Sequence, residues 1–405
     1  MNKQTIHVSR PEDILGYVPH ALEFQPRQSL VLLSLNGKRL GATLRVDLPK
    51  DGGEEELARF ADAATAYLRK DSRADSSLLV LYTDALERCV QFPPYETLLD
   101  LLLTSLDGAG MPVRDGWVVG PEYFRCLHCK GPGYCPAGGH PVERIAESTI
   151  NSEMIFRGSS VAPSVSQAVA LRRSETAVAK SAASMFSESS EILRMFEGRW
   201  HAPEVFRRTL LCWDTAIRSA PGPERIPFLL ASLTSFHVRD AVIVLICRGL
   251  DAAYGGAVSS GVLTGTEPTG IDVPPAGPFP CATWKPGMTL DAYRRIFDAV
   301  LLGDSPQAPH WARVDRAADL LVALYGGSEG PSKAAAGTLL AWIEWARGRG
   351  SMAHEALEMV LQEFPDYGLA RLLNDFVATG TLPVWATDRD SSWSGQRNEL
   401  PDRHR

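Results

Sequence analysis

The feature that most constrains this chain is the run Ser29-Leu30-Val31-Leu32-Leu33-Ser34-Leu35, bounded by Pro26 and by Asn36-Gly37. A run this short and this apolar reads as a strand buried on both faces, and Asn-Gly readily closes a tight hairpin. Residues 40–48 alternate well enough to be its partner. Leu57, Phe60, Ala61, Ala64 and Leu68 then recur at helical spacing behind three acids, which suit a helix N-terminus. Residues 78–82 read as a second buried strand, 95–106 as a helix and 116–119 as part of a third strand. Upstream, Ile14, Leu15, Val18 and Leu22 line a short helix over 11–22, which Pro19 is expected to kink or end. The order β-β-α-β-α-β predicts an α/β domain with a mixed sheet.

Beyond residue 142 the helical period takes over. Helices are expected over 143–156, 164–197, 203–219, 225–249, 290–302, 311–325, 332–348, 351–363 and 367–379. The expected organisation is an α/β domain over 1–141 ending in a Cys/Gly-rich loop, an all-α helical domain over 142–386, and a polar, disordered tail over 387–405. Residues 255–287 are rich in Gly and Pro and are expected to form a loop within the helical domain. Ala341, Ala353 and Pro365 stand at a regular interval, with Trp342 beside the first and Gly348 and Gly350 at a turn. That pattern resembles one tetratricopeptide unit, in which small residues let paired helices approach closely. No second copy follows, so an ordinary helical hairpin and a peptide-binding groove both remain open.

Composition narrows the function classes. Among 405 residues, Lys plus Arg total 41 and Asp plus Glu 48, a net charge of -7. This is not the broad basic footprint of a nucleic-acid binder. The longest apolar stretches, such as 241–247, fall far short of the ~20 residues needed to span a bilayer. The opening Met1-Asn2-Lys3-Gln4-Thr5-Ile6-His7-Val8 has no apolar core of a signal peptide. A cytoplasmic protein without membrane attachment is expected. Seven cysteines spread through so long a chain do not resemble a secreted disulfide scaffold.

Three of those cysteines crowd together. Cys126, Cys129, Cys135 and His140 read C-x2-C-x5-C-x4-H, four donors of the kind zinc takes in a closed structural site. His128 competes as the fourth ligand, and Gly131, Gly133, Gly138 and Gly139 would let the loop fold back. Structural zinc, inert reduced cysteines and thiol redox chemistry all remain open on this spacing.

Signs of catalysis are sparse. Arg45 and Asp47 stand two apart on a strand and share a face, and Asp84 follows the 78–82 strand, where open α/β sheets bind ligands. These three are the candidate polar residues of a pocket. His20 could serve as a base, while Ser29 lacks the setting of a nucleophile elbow. No Gly-x-Gly-x-x-Gly, Walker loop or His-Glu-x-x-His is present.

Several stretches together resemble one family. They are Pro11-Glu12-Asp13-Ile14-Leu15, Val18-Pro19, Phe24-Gln25-Pro26, Ser29-Leu30-Val31, Arg45-Val46-Asp47-Leu48-Pro49, Cys135-Pro136, Val238-Arg239-Asp240-Ala241 and Pro383-Val384-Trp385. This pattern is similar to DUF4192, a domain-of-unknown-function family found mainly in actinobacteria. Where its members usually carry Gly before the Phe, this chain has Glu23, and where they often show a double Cys it has Tyr134-Cys135. The resemblance implies no activity, substrate or catalytic residue. The first expectation is a binding or scaffold protein, with a zinc-stabilised loop and a helical groove for a protein or peptide partner. An enzyme with a pocket between the α/β and helical domains, lidded by 255–287, comes second, and a thiol redox sensor third.

Overall fold

β1 (Ser29–Asn36) is buried from Ser29 to Leu35. A strand can be buried on both faces only in the middle of a sheet with helices on either side. The computed structural model describes residues 10–49, 53–88, 95–127, 135–136, 139–174, 182–263, 288–388 and 390–393. In it, β1 belongs to a six-stranded sheet of order β2-β1-β3-β4-β5-β6. β2 (Arg39–Asp47) and β3 (Ser76–Tyr82) flank β1 antiparallel, and β4 (Val113–Val119) runs parallel to β3. β5 (Tyr123–Cys126) and the two-residue β6 (His140–Pro141) complete that side antiparallel. The sheet is mixed, as expected.

The pleat sends alternate residues to opposite layers. Leu30, Leu32, Leu79 and Leu81 meet α2 (Glu54–Leu68) and α3 (Glu96–Gly108) through Ala61, Ala64, Leu68, Leu98 and Leu102. Val31, Leu33, Val80 and Trp117 meet α1 (Pro11–Leu22) through Ile14, Leu15 and Val18. α1 continues through Pro19 to Leu22, because burying Leu15, Val18 and Pro19 outweighs the missing helical hydrogen bond. It ends at Glu23, whose φ of 68° lies in the left-handed region. That backbone favours glycine.

The helix expected over 143–156 is two, α4 (Glu143–Ala146) and α5 (Thr149–Phe156), both packed on α1. Ser148 breaks the run because its Oγ accepts from Asn151 N and caps α5. The chain divides into two compact units, the first reaching residue 168 and the second running from Val169 to Trp393.

The second unit is helical. α6 (Val165–Ser174) runs into it across the boundary, and it takes in α7 (Ala182–Met195), α8 (Pro203–Arg218), α9 (Ile226–Ser232), α10 (Phe236–Arg248) and α11 (Leu250–Ser259). α12 (Leu290–Leu302), α13 (Trp311–Gly326), α14 (Gly330–Ala346), α15 (Gly350–Glu363) and α16 (Gly368–Ala378) follow. The helix expected over 225–249 is bent by 110° between α9 and α10. α10 buries Val238 and every side chain from Ala241 to Cys247 and touches α8, α11, α12 and α13. It is apolar all round because it is the unit's centre. Among the described residues no single helix is long and apolar enough to cross a membrane.

The loop expected over 255–287 begins later than its glycines suggest. α11 runs to Ser259, and a Cβ on Gly255 would come within 2.6 Å of the Tyr293 ring on α12. These glycines permit a close helix crossing instead of breaking a helix. Residues 264–287 lie outside the described residues.

One buried carboxylate ties α14 to its surroundings. Glu344 receives hydrogen bonds from Arg172 of α6 at 2.8 Å, Arg347 at 2.7 Å and Arg349 at 3.4 Å. Arg347 also reaches Asp315 of α13 at 2.6 Å. Burial alone would raise the Glu344 carboxyl, but Arg347, Arg172 and Arg349 outweigh it and hold it at about 2.

Glu23→Gly is expected to raise stability by about 1 kcal/mol in urea denaturation, by relieving the left-handed backbone. Glu344→Ala is expected to cost about 3–5 kcal/mol, since it leaves arginines buried without their carboxylate. Because the folded-state pKa is lowered, Glu344 contributes fully above its ordinary 4.5, and that contribution is lost as pH falls toward about 2. The stability gap between wild type and Glu344→Gln should therefore shrink across that window.

Candidate functional site

The strands beside β4 decide where the cysteine loop sits. Cys126 closes β5 opposite Trp117, and Phe124 stands opposite His140. Cys126 and Phe124 are two apart on one strand, so they share a face, and His140 lies on that face one diagonal step from Cys126. On the way back to β6 the chain brings Cys135 Sγ to 3.2 Å from Cys126 Sγ, and both residues are partly exposed. Cys129 and the alternative ligand His128 lie outside the described residues. Among the described residues, no group of three or more His, Cys, Asp or Glu side chains could hold a metal ion.

His140 is engaged elsewhere. Its ring packs on Phe124 with centroids 5.3 Å apart, and its Nδ1 lies 2.9 Å from an Arg144 nitrogen. A guanidinium only donates, so Nδ1 is the acceptor in this contact. Arg144 in turn pairs at 2.5 Å with Glu12, a buried residue of α1.

The three polar residues expected near a pocket gather at one end of the sheet. Asp47 stands opposite Ser29, which stands opposite Tyr82, and the Asp84 backbone N–H donates to Gln28 Oε1 at 2.8 Å. The structure thus brings Arg45, Asp47 and Asp84 to the carboxyl ends of β2 and β3. Arg45 is largely buried and bonds the exposed Asp47 at 2.5 Å, with its guanidinium 5.9 Å from the Phe24 ring centre. The pair neutralises itself. Beside it, the Ser29 and Tyr82 hydroxyls are buried with no hydrogen-bond partner among the described residues, and burial pushes the Tyr82 phenol well above its ordinary value. His20 is buried between Ser159 Oγ and Asn151 Oδ1, each at 2.9 Å, as a tie between α1 and α5 and the residues after it.

On the helical unit, α14 and α15 form the expected pair, with Ala341 and Ala353 fully buried, and α16 packs against both. The face of α14 is already occupied. Trp345 Nε1 donates to Thr381 O at 2.7 Å, and Trp385 Nε1 to Ala346 O at 2.8 Å. Ser391 Oγ donates to Trp385 O at 2.8 Å, and Trp311 Nε1 reaches Ser391 O at 3.0 Å. Trp393 Nε1 donates to Asp315 Oδ1 at 3.0 Å, and the guanidinium carbons of Arg347 and Arg349 lie 4.7 and 4.4 Å from its ring centre. The tail expected to be disordered from 387 therefore packs as far as Trp393. The signal that could have found it is a pair of tryptophans, Trp385 and Trp393, in an otherwise polar stretch.

The turn that returns the chain to β6 depends on Gly139, which has φ of 88°, and a Cβ there would meet Phe124 O at 2.7 Å. Gly139→Ala is expected to destabilise the protein by at least about 1–2 kcal/mol. It should also unpair β6, seen as faster amide exchange at Val142, whose N–H bonds Glu122 O at 3.0 Å.

A model of the family described as Domain of unknown function (DUF4192) matches residues 11–254 and 307–384. No curated protein and no solved structure matches the chain. The family match covers both the α/β unit and most of the helical unit, and the chain belongs to the DUF4192 family.

Proposed function

We propose that this is a binding protein whose helical unit holds a tryptophan-bearing, turn-forming segment of a protein partner, and that the stretch after Trp385, ending at Trp393, fills that surface in cis. The observation that carries this reading is the seat of Trp393. Two guanidinium groups lie against its ring, and a carboxylate accepts its indole N–H. Cations over a π face together with one hydrogen-bond acceptor are what an indole needs for recognition. Trp385 is buried and belongs to the core, whereas Trp393 is only half-buried at the end of the packed segment. The exchangeable part is therefore the stretch after Trp385.

A chain ending at Asp388 keeps Trp385 and empties the Trp393 seat. It is expected to bind a synthetic peptide of residues 387–395 with a Kd of about 10–100 μM by isothermal titration. The Trp393→Ala peptide should bind at least about tenfold more weakly. The full-length chain should bind the peptide poorly, because its seat is filled. No binding to the shortened chain, or equal binding of the two peptides, would show that the segment is simply part of the fold.

A further inference from the structure

We infer that Cys126 and Cys135 form a reversible dithiol, closed to an intramolecular disulfide by exchange with a small disulfide of the glutathione class. The inference stands apart from the binding surface of the helical unit.

The geometry comes first. The two sulfurs are 3.2 Å apart. A disulfide needs a further approach of only about 1.1 Å, within reach of small side-chain rotations. Both ends are anchored in backbone. Leu127 N–H donates to Gly116 O at 2.8 Å just beyond Cys126, and Gly139 N–H to Pro136 O at 2.8 Å just beyond Cys135. His140, the expected histidine ligand, is held by Arg144 through Nδ1.

Access separates this pair from the other described cysteines. Cys126 and Cys135 are partly exposed, whereas Cys212 and Cys247 are buried and their thiols are pushed up to about 11 and about 12 by burial. Those two stay protonated and screened near neutral pH.

In the reaction, one protein thiol loses its proton to solvent and its thiolate attacks a sulfur of the small disulfide. This forms a mixed disulfide and releases one small thiol. The second protein thiolate then attacks the mixed disulfide at the protein sulfur and displaces the other small thiol. Overall the two protein thiols lose two protons and two electrons, and the small disulfide is reduced to two thiols. The bond closes the loop from β5 toward β6, so oxidation should strengthen the pairing of a strand only two residues long.

The test uses the full-length chain, reduced and then equilibrated across glutathione buffers of graded ratio, with rapid alkylation and peptide mass mapping. The expected result is a peptide linking Cys126 to Cys135, two fewer alkylated thiols, and reversal by dithiothreitol. The link should persist in Cys129→Ser and should slow amide exchange around β6. Unchanged thiols across all ratios would overturn the inference, as would a link running through Cys129. Stoichiometric zinc that blocks oxidation until it is chelated would also overturn it, in favour of a metal site.

Discussion

A carboxylate buried among three arginines organises the helical unit. Glu344 draws Arg172, Arg347 and Arg349 toward α14, and Arg347 then spans Glu344, Asp315 and the ring of Trp393. The residue that neutralises the core carboxylate is thus also one that seats the terminal indole. Its guanidinium is held by two carboxylates independently of the aromatic ring, so little of its side-chain freedom depends on the Trp393 contact. The buried ion cluster and the seat of Trp393 share one set of charges there. The ring stacks on cations that the fold already needs.

Much of the fold was legible because its signals are local. The buried run at β1, the Asn36-Gly37 turn, the helical spacing of Leu57 to Leu68 and the alternation of β2 each act over fewer than about 15 residues. The elements they predicted are present with nearly the expected bounds. What failed was local evidence overruled by packing. Pro19 sits inside a helix because α1 is buried against the sheet, and Gly255 and Gly256 belong to a helix because rings of α12 press on them. β5 and β6 are too short to show any period. The bend between α9 and α10 falls at Leu233-Thr234-Ser235, a break of only three residues between two helical runs.

The candidate sites divide the same way. Spacing located the cysteine loop, but it ranked Cys126, Cys129, Cys135 and His140 as one set. It had no means of showing that Arg144 takes the histidine or that Cys135 returns onto Cys126. Those are long-range facts, fixed by the Phe124–His140 register. Arg45 and Asp47 were placed on one face by strand alternation, and they do share it, as a closed ion pair. The Trp393 seat left the faintest trace. Its two arginines and its aspartate come from separate helical neighbourhoods, and only the tail's tryptophans hinted that something there must find cover.

The brevity of β6 has a consequence for how the first unit behaves among copies of itself. A sheet edge with unpaired amides is a template for another strand, and proteins blunt such edges with short or covered strands. Here β6 is the last strand on its side and is only two residues long. It shields a four-residue neighbour, β5. Whatever holds the turn at Gly139 in place therefore also keeps the sheet from offering a longer, adhesive border. Loosening that turn would expose the inner strand and give concentrated protein a route to self-association.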